Sequence, residues 1–215
     1  MKSKYKGIAF DMDNTLLRSH IDFPLMKAET FRFLASQGIL PEDFPLALHT
    51  TATLIQAAVR TSAMSAALME EMWSTVSRHE WIGMEGAELE PGAAKLLEEL
   101  HGRFHLAVVT NNACQAAHKA LSDHQILHFF DHIVGREMVN SLKPSPDGFL
   151  YLLNAYPDTE PQEWLSVGDA WIDGKASEQA GMTFIAYQTE LEHMNKAGVF
   201  PEGWIGHIRD ILQFI

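Results

Sequence analysis

Two carboxylates and a hydroxyl fall within five residues near the start of the chain, Asp11-Met12-Asp13-Asn14-Thr15, directly behind the apolar run Ile8-Ala9-Phe10. If that run closes a buried strand, residues i and i+2 point to the same side, so Asp11 and Asp13 can face one site. Paired acids suit nucleophilic attack, proton transfer or the holding of a divalent cation. Alone, the same residues also fit a turn in which Asp13 or Asn14 caps a helix starting near Leu16. What the rest of the chain brings to the same place decides between the two.

Three further polar sets sit at comparable places. Thr110-Asn111-Asn112 follows the apolar run Leu106-Ala107-Val108-Val109, Lys143-Pro144-Ser145-Pro146 precedes a helical pattern, and Gly168-Asp169-Ala170-Trp171-Ile172-Asp173 follows Trp164-Leu165-Ser166-Val167. Taken singly, Thr110-Asn111 is an ordinary helix cap and Lys143-Pro144 an ordinary loop. From Pro91 onward, however, helical and apolar strand patterns alternate. Helices are expected over 91–100, 113–122, 146–155 and 172–180, and strands over 105–110, 133–134, 164–167 and 183–186. Such alternation implies a parallel sheet covered on both faces, with ligands bound at the carboxyl ends of its strands. All four polar sets then converge on one crevice.

Between the first acids and Pro91 the pattern is helical, rich in Ala, Leu, Met and Glu, with helices expected over 22–37, 44–60 and 62–79. Met64, Leu68, Met72 and Val76 recur at helical spacing and read as the core of a small bundle. The fold class is therefore α/β: a Rossmann-like parallel sheet core with helices on both faces, interrupted by an all-helical insert. The boundaries are placed at 1–17 and 88–215 for the α/β part and 18–87 for the insert.

Composition narrows the partners. A chain of 215 residues with 47% apolar content can bury a substantial core. The formal charge of -12 argues against nucleic acid or an anionic membrane, both of which need clustered Lys and Arg. A small anionic ligand would have to be drawn in by a metal or a few placed cations. No apolar run reaches the roughly 18 residues of a membrane span, and Met1-Lys2-Ser3-Lys4-Tyr5-Lys6 leads straight into a strand, so a cytoplasmic protein is expected. The single cysteine, Cys114, excludes an internal disulfide and reads as a small buried hydrophobe.

Asp11-Met12-Asp13-Asn14-Thr15, Thr110-Asn111, Lys143-Pro144 and Gly168-Asp169 with Asp173 resemble, in order and spacing, the four motifs of the haloacid-dehalogenase-like hydrolase superfamily. The resemblance spans the whole chain. It makes the helical insert similar to the cap of the phosphoglycolate-phosphatase-like and phosphomutase-like branches. One departure stands out: the residue after the second acid is often glycine in this superfamily and here is Asn14.

The chemistry that these residues can perform is phosphoryl transfer. A divalent cation removes the repulsion between phosphate oxygens and an attacking carboxylate, and Asp11 with Asp169 supplies two oxygen ligands suited to Mg²⁺. The resemblance implies the Asp13 main-chain carbonyl as the third protein ligand. Asp173, four residues beyond Asp169, is expected to orient Lys143 or a water on the metal rather than to bind metal directly. Asp11 is the expected nucleophile and Asp13 the general acid and base. Thr110, Asn111 and Lys143 are the expected phosphate-binding set.

These residues predict a Mg²⁺-dependent phosphatase that acts on a small phosphorylated metabolite (phosphoglycolate, a sugar phosphate or a nucleoside monophosphate) through an aspartyl-phosphate. A phosphomutase uses the same motifs and is the alternative. A silent phosphate-binding module is a third reading, disfavoured because both Asp11 and Asp13 are present. A dehalogenase of the same superfamily needs neither the second acid nor a metal site.

Overall fold

The computed structural model describes residues 3–215. In chain order its elements are β1 (Gly7–Phe10), β2 (Leu17–Arg18), α1 (Phe23–Ser36), α2 (Thr51–Arg60), α3 (Ala66–Met84), β3 (Glu88–Leu89), α4 (Ala93–Leu100) and β4 (His105–Val109). There follow α5 (Cys114–Asp123), β5 (His132–Val134), α6 (Asp147–Asn154), β6 (Trp164–Gly168), α7 (Trp171–Ala180), β7 (Thr183–Tyr187), α8 (Leu191–Lys196) and β8 (Gly203–Ile205). The chain divides into two compact units, one formed by Met1–Ser19 with Ala87–Ile215, the other by His20–Gly86. Among the described residues no helix is long and apolar enough to cross a membrane.

The first unit is the expected α/β fold. Its sheet has six strands in the order β5-β4-β1-β6-β7-β8, and every neighbouring pair is parallel. The inner strands β4, β1, β6 and β7 are short, nearly unbroken apolar runs, the pattern of a sheet buried on both faces. Ile8 and Phe10 of β1 are wholly buried, contributing roughly 1.5–3 kcal/mol each by leaving water. The loop that carries Asp11 therefore starts from a firmly seated central strand. Ala9, Val109, Val134, Phe149, Leu152, Trp164 and Ala176 pack together as one core.

Four elements go beyond the sequence expectation. β2 and β3 pair antiparallel over two residues each, and α8 and β8 extend the unit after β7. Trp171, within the last acidic motif, packs against the cluster of Phe184, Ala186, Met194 and Val199. Asn14 adopts φ +54°, the left-handed region that asparagine tolerates better than other non-glycine residues.

The second unit is a bundle of α1, α2 and α3 around Met26, Leu34, Leu54, Ile55, Ala58, Met72 and Val76, with Met64, Leu68, Met69 and Trp73 half-buried against them. Two helix starts differ from the expected ones. Residues 46–48 form a single 3-10 turn, and α2 begins only at Thr51, because Thr50 and Thr53 cap each other reciprocally. Ser62 has φ +60° and Ser65 caps α3, so that helix starts at Ala66 instead of 62. It then runs past His79 to Met84. Gly83 permits this: a Cβ there would lie 2.4 Å from the Ile21 Cα, so only glycine lets the two backbones approach.

Candidate active site

Parallel register brings three strand ends to within one residue of each other. Phe10 lies opposite Val108 on one side and Val167 on the other, so the chain leaves β1, β4 and β6 at Asp11, Thr110 and Asp169 along one edge of the sheet. The Asp11 N–H donates to the Val167 carbonyl at 2.8 Å, tying the first loop to β6.

Lys143 comes to this edge from the loop before α6. Its Nζ donates to Asp11 Oδ1 at 2.6 Å and to the Val109 carbonyl at 2.8 Å, and it lies 2.6 Å from Asp173 Oδ1. An ammonium has three N–H donors, and here three oxygens surround it. Asn111 holds the loop from its main chain: Oδ1 accepts the Lys143 N–H at 2.8 Å and Nδ2 donates to the Lys143 carbonyl at 3.1 Å. The Lys143–Pro144 peptide bond is cis.

Asp173 sits in the first turn of α7, buried, and its Oδ2 accepts the Ala170 N–H at 3.0 Å. Asp13 is also buried, and its Oδ2 accepts from Asn112 Nδ2 at 2.6 Å. Thr110, buried at the end of β4, accepts the Asn112 N–H on Oγ1 at 3.2 Å.

The electrostatics are those of crowded acids partly relieved by one cation. Burial, with added repulsion from Asp173 and Asp13, pushes the Asp11 carboxyl up to about 7 even though Lys143 pulls it down. Burial and the charges of Asp11 and Asp173 likewise hold Asp169 well above the carboxylate range. Burial alone would lower Lys143, but Asp11 and Asp173 keep its ammonium above the usual lysine range. Asp11, Asp169 and Asp173 each present a carboxylate oxygen, all within 4.8 Å of one another. An all-oxygen donor set, strained by its own negative charge, matches a hard divalent cation.

The structure thus gathers Asp11, Asp169, Asp173 and Lys143 into one cluster and places Asp13 and Thr110 at its rim through Asn112. Asn111 joins it in another manner than its type suggests, since both ends of its amide grip the Lys143 main chain. Asn112 stands in the sequence only as the last residue of a polar set, with no role of its own. Its signal is only the asparagine doublet behind a strand, and its partner becomes visible once β1 and β4 are aligned. Cys114 is half-buried, not buried, because it opens α5: its N–H donates to Glu137 Oε2 at 2.8 Å, and burial pushes its thiol pKa up, away from thiolate reactivity.

Comparison with known proteins adds the following. The family description "Haloacid dehalogenase-like hydrolase" matches residues 8–187. A phosphoglycolate phosphatase of Aliivibrio fischeri is 30% identical, with 87% of this chain and 86% of that protein aligned. One from Cereibacter sphaeroides is also 30% identical, covering 97% of this chain and 98% of the other. In three dimensions, the crystal structure of a predicted phosphoglycolate phosphatase from Haemophilus somnus superposes with a TM-score of 0.70 at 21% identity over 99% of both chains, a likeness of fold.

Proposed function

The chain belongs to the haloacid dehalogenase-like hydrolase family, and from that premise we propose a Mg²⁺-dependent phosphatase of a small phosphorylated metabolite, working through a phosphoenzyme on Asp11. The observation that carries the reading is Asp11 itself: a largely but not wholly buried carboxylate at the end of the central strand, 2.6 Å from the Lys143 ammonium and beside two further acids.

Asp11 attacks phosphorus, the bond to the leaving oxygen breaks, and that oxygen takes the proton of the Asp13 carboxyl. Asp13, now ionised, takes a proton from water as the water oxygen attacks phosphorus; the bond to Asp11 breaks and inorganic phosphate leaves. Lys143 and Thr110 meet the phosphate oxygens, and Asn111 serves by fixing the loop that presents Lys143. Asp173 is a second carboxylate that holds the Lys143 ammonium in place beside Asp11. Mg²⁺, held by Asp11 and Asp169 with the Asp13 main-chain carbonyl that the family pattern implies, would supply the charge neutralisation that lets an anion approach a phosphate.

Segment 18–87 is read as the cap that selects the substrate, and 1–17 with 88–215 as the catalytic core. The relatives at 30% identity are named phosphoglycolate phosphatases, so phosphoglycolate leads, ahead of sugar phosphates and nucleoside monophosphates. The test is phosphate release from p-nitrophenyl phosphate and from phosphoglycolate, with and without Mg²⁺, beside Asp11→Asn. Metal-dependent release that the substitution abolishes is the expected result. Folded, metal-loaded protein that releases no phosphate from either ester would overturn the reading.

A further inference from the structure

Asn112 belongs to none of the motifs that the function draws on, yet it makes a short polar contact between two strand-end loops. Its Nδ2 lies 2.6 Å from Asp13 Oδ2, and the two residues are only 5% and 9% exposed. The asparagine is itself fixed on both sides of its main chain. Its N–H donates to Thr110 Oγ1 at 3.2 Å, and its carbonyl accepts the Arg136 N–H at 2.9 Å. The loop leaving β4 therefore presents one anchored amide to the carboxylate on the loop leaving β1.

An aspartate side chain can rotate about two torsions, and in a buried setting its partners choose among them. We propose that Asn112 is a positioning residue: its amide-to-carboxylate hydrogen bond holds Asp13 in the orientation that places the carboxyl toward the leaving oxygen. The proposal rests on the function proposed above. The step it serves is the one in which the phosphorus–oxygen bond breaks, its electron pair stays on the leaving oxygen, and that oxygen takes the Asp13 proton. Misplacement of a general acid matters most where the leaving oxygen needs the proton most. A purely scaffolding asparagine would affect every substrate alike.

The experiment compares kcat/KM, which reports the first phosphoryl transfer, for p-nitrophenyl phosphate and for phenyl phosphate, whose phenol is the poorer leaving group. Wild type, Asn112→Ala and Asn112→Ser are measured with Mg²⁺; neither replacement can span the distance to Asp13, and serine is the milder change to the packing. The loss on phenyl phosphate should exceed the loss on p-nitrophenyl phosphate by on the order of tenfold. In an Asp13→Asn background, Asn112→Ala should cost nothing further, because the group it positions no longer handles a proton. Equal losses on both esters, additive effects in the double variant, or failure of both asparagine variants to fold would assign Asn112 to the scaffold and overturn the proposal. No turnover by wild type on either aryl ester or on phosphoglycolate would overturn the underlying function and this proposal together, an outcome distinct from the others because it appears before any substitution is made.

Discussion

The Lys143 ammonium lies 2.6 Å from Asp173 Oδ1, and both side chains are almost wholly buried. With Asp11 at the same distance, Lys143 is held between two carboxylates, which fixes the cation in place more than a single ion pair would. Replacing Asp173 by asparagine keeps the shape and leaves an oxygen for the Ala170 N–H, but removes one of the two charges. Lys143 then loses one of the two charges that fix its position beside the phosphate. The expected outcome for Asp173→Asn is a kcat lower by on the order of tenfold to a hundredfold, the cost of a misplaced group. Steady-state kinetics on p-nitrophenyl phosphate reads it, and an unchanged kcat would count against the arrangement.

The raised carboxyls make a prediction about stability. An acid whose pKa rises on folding keeps its proton more firmly in the native state, so its contribution is complete below the unfolded value near 3.8 and declines as the pH climbs through about 7 for Asp11. Asp169 is shifted in the same direction. Metal-free protein should therefore lose Tm between pH 5 and 8, and Mg²⁺, which favours the ionised acids, should restore more of it at pH 8 than at pH 6. Asp11→Asn isolates the cause. Thermal melts of this variant should show a shallower decline than wild type, and parallel profiles would refute the assignment.

Much of this architecture is legible in the chain because the sheet is buried on both faces. Runs such as Ile8-Ala9-Phe10 and Leu106-Ala107-Val108-Val109 are unbroken, and helices of moderate length separate the later ones. β2, β3 and β8 are not legible, since two or three residues cannot display a period of two. The late starts of α2 and α3 turn on the caps Thr50 and Ser65, which compete with other hydroxyls close by in the sequence. The acids of the site announce themselves by type and spacing. The asparagines do not: Asn111 and Asn112 are adjacent and identical, yet one grips the Lys143 main chain and the other the Asp13 carboxylate, a division that depends on the register of β1 with β4.

Away from the acids, Glu90 is 1% exposed and accepts hydrogen bonds from the Tyr187 hydroxyl, the Arg18 guanidinium and Gln188 Nε2, the last at 3.1 Å. Burial and the neighbouring Glu90 carboxylate hold the Tyr187 phenol above its usual range, so it remains a donor. Tyr187→Phe preserves the packing at the end of β7 and deletes one donor to a buried charge. A loss of about 1.5–3 kcal/mol is expected in urea denaturation, the range for hydrogen bonds to charged groups. A loss well below 1 kcal/mol would mean that Arg18 and Gln188 already satisfy Glu90.

Gly168 offers a test of the site that touches none of its charges. It closes β6 one residue before Asp169, and a Cβ placed there would lie 2.6 Å from Asp173 Cβ and 2.7 Å from both Cγ and Oδ2. Asp173 cannot yield without cost, since Oδ2 is bonded to the Ala170 N–H and Oδ1 faces Lys143. Gly168→Ala should therefore push Asp173 off its seat, destabilising the fold by about 1–3 kcal/mol, as overpacking does. The same substitution should lower kcat much as Asp173→Asn does, and the double variant should be little worse than either alone, because both act through the position of Lys143. Kinetics and melts of the three variants decide the matter: if Gly168→Ala retained wild-type kcat, the packing of Asp173 against the strand end would not be what aims the lysine.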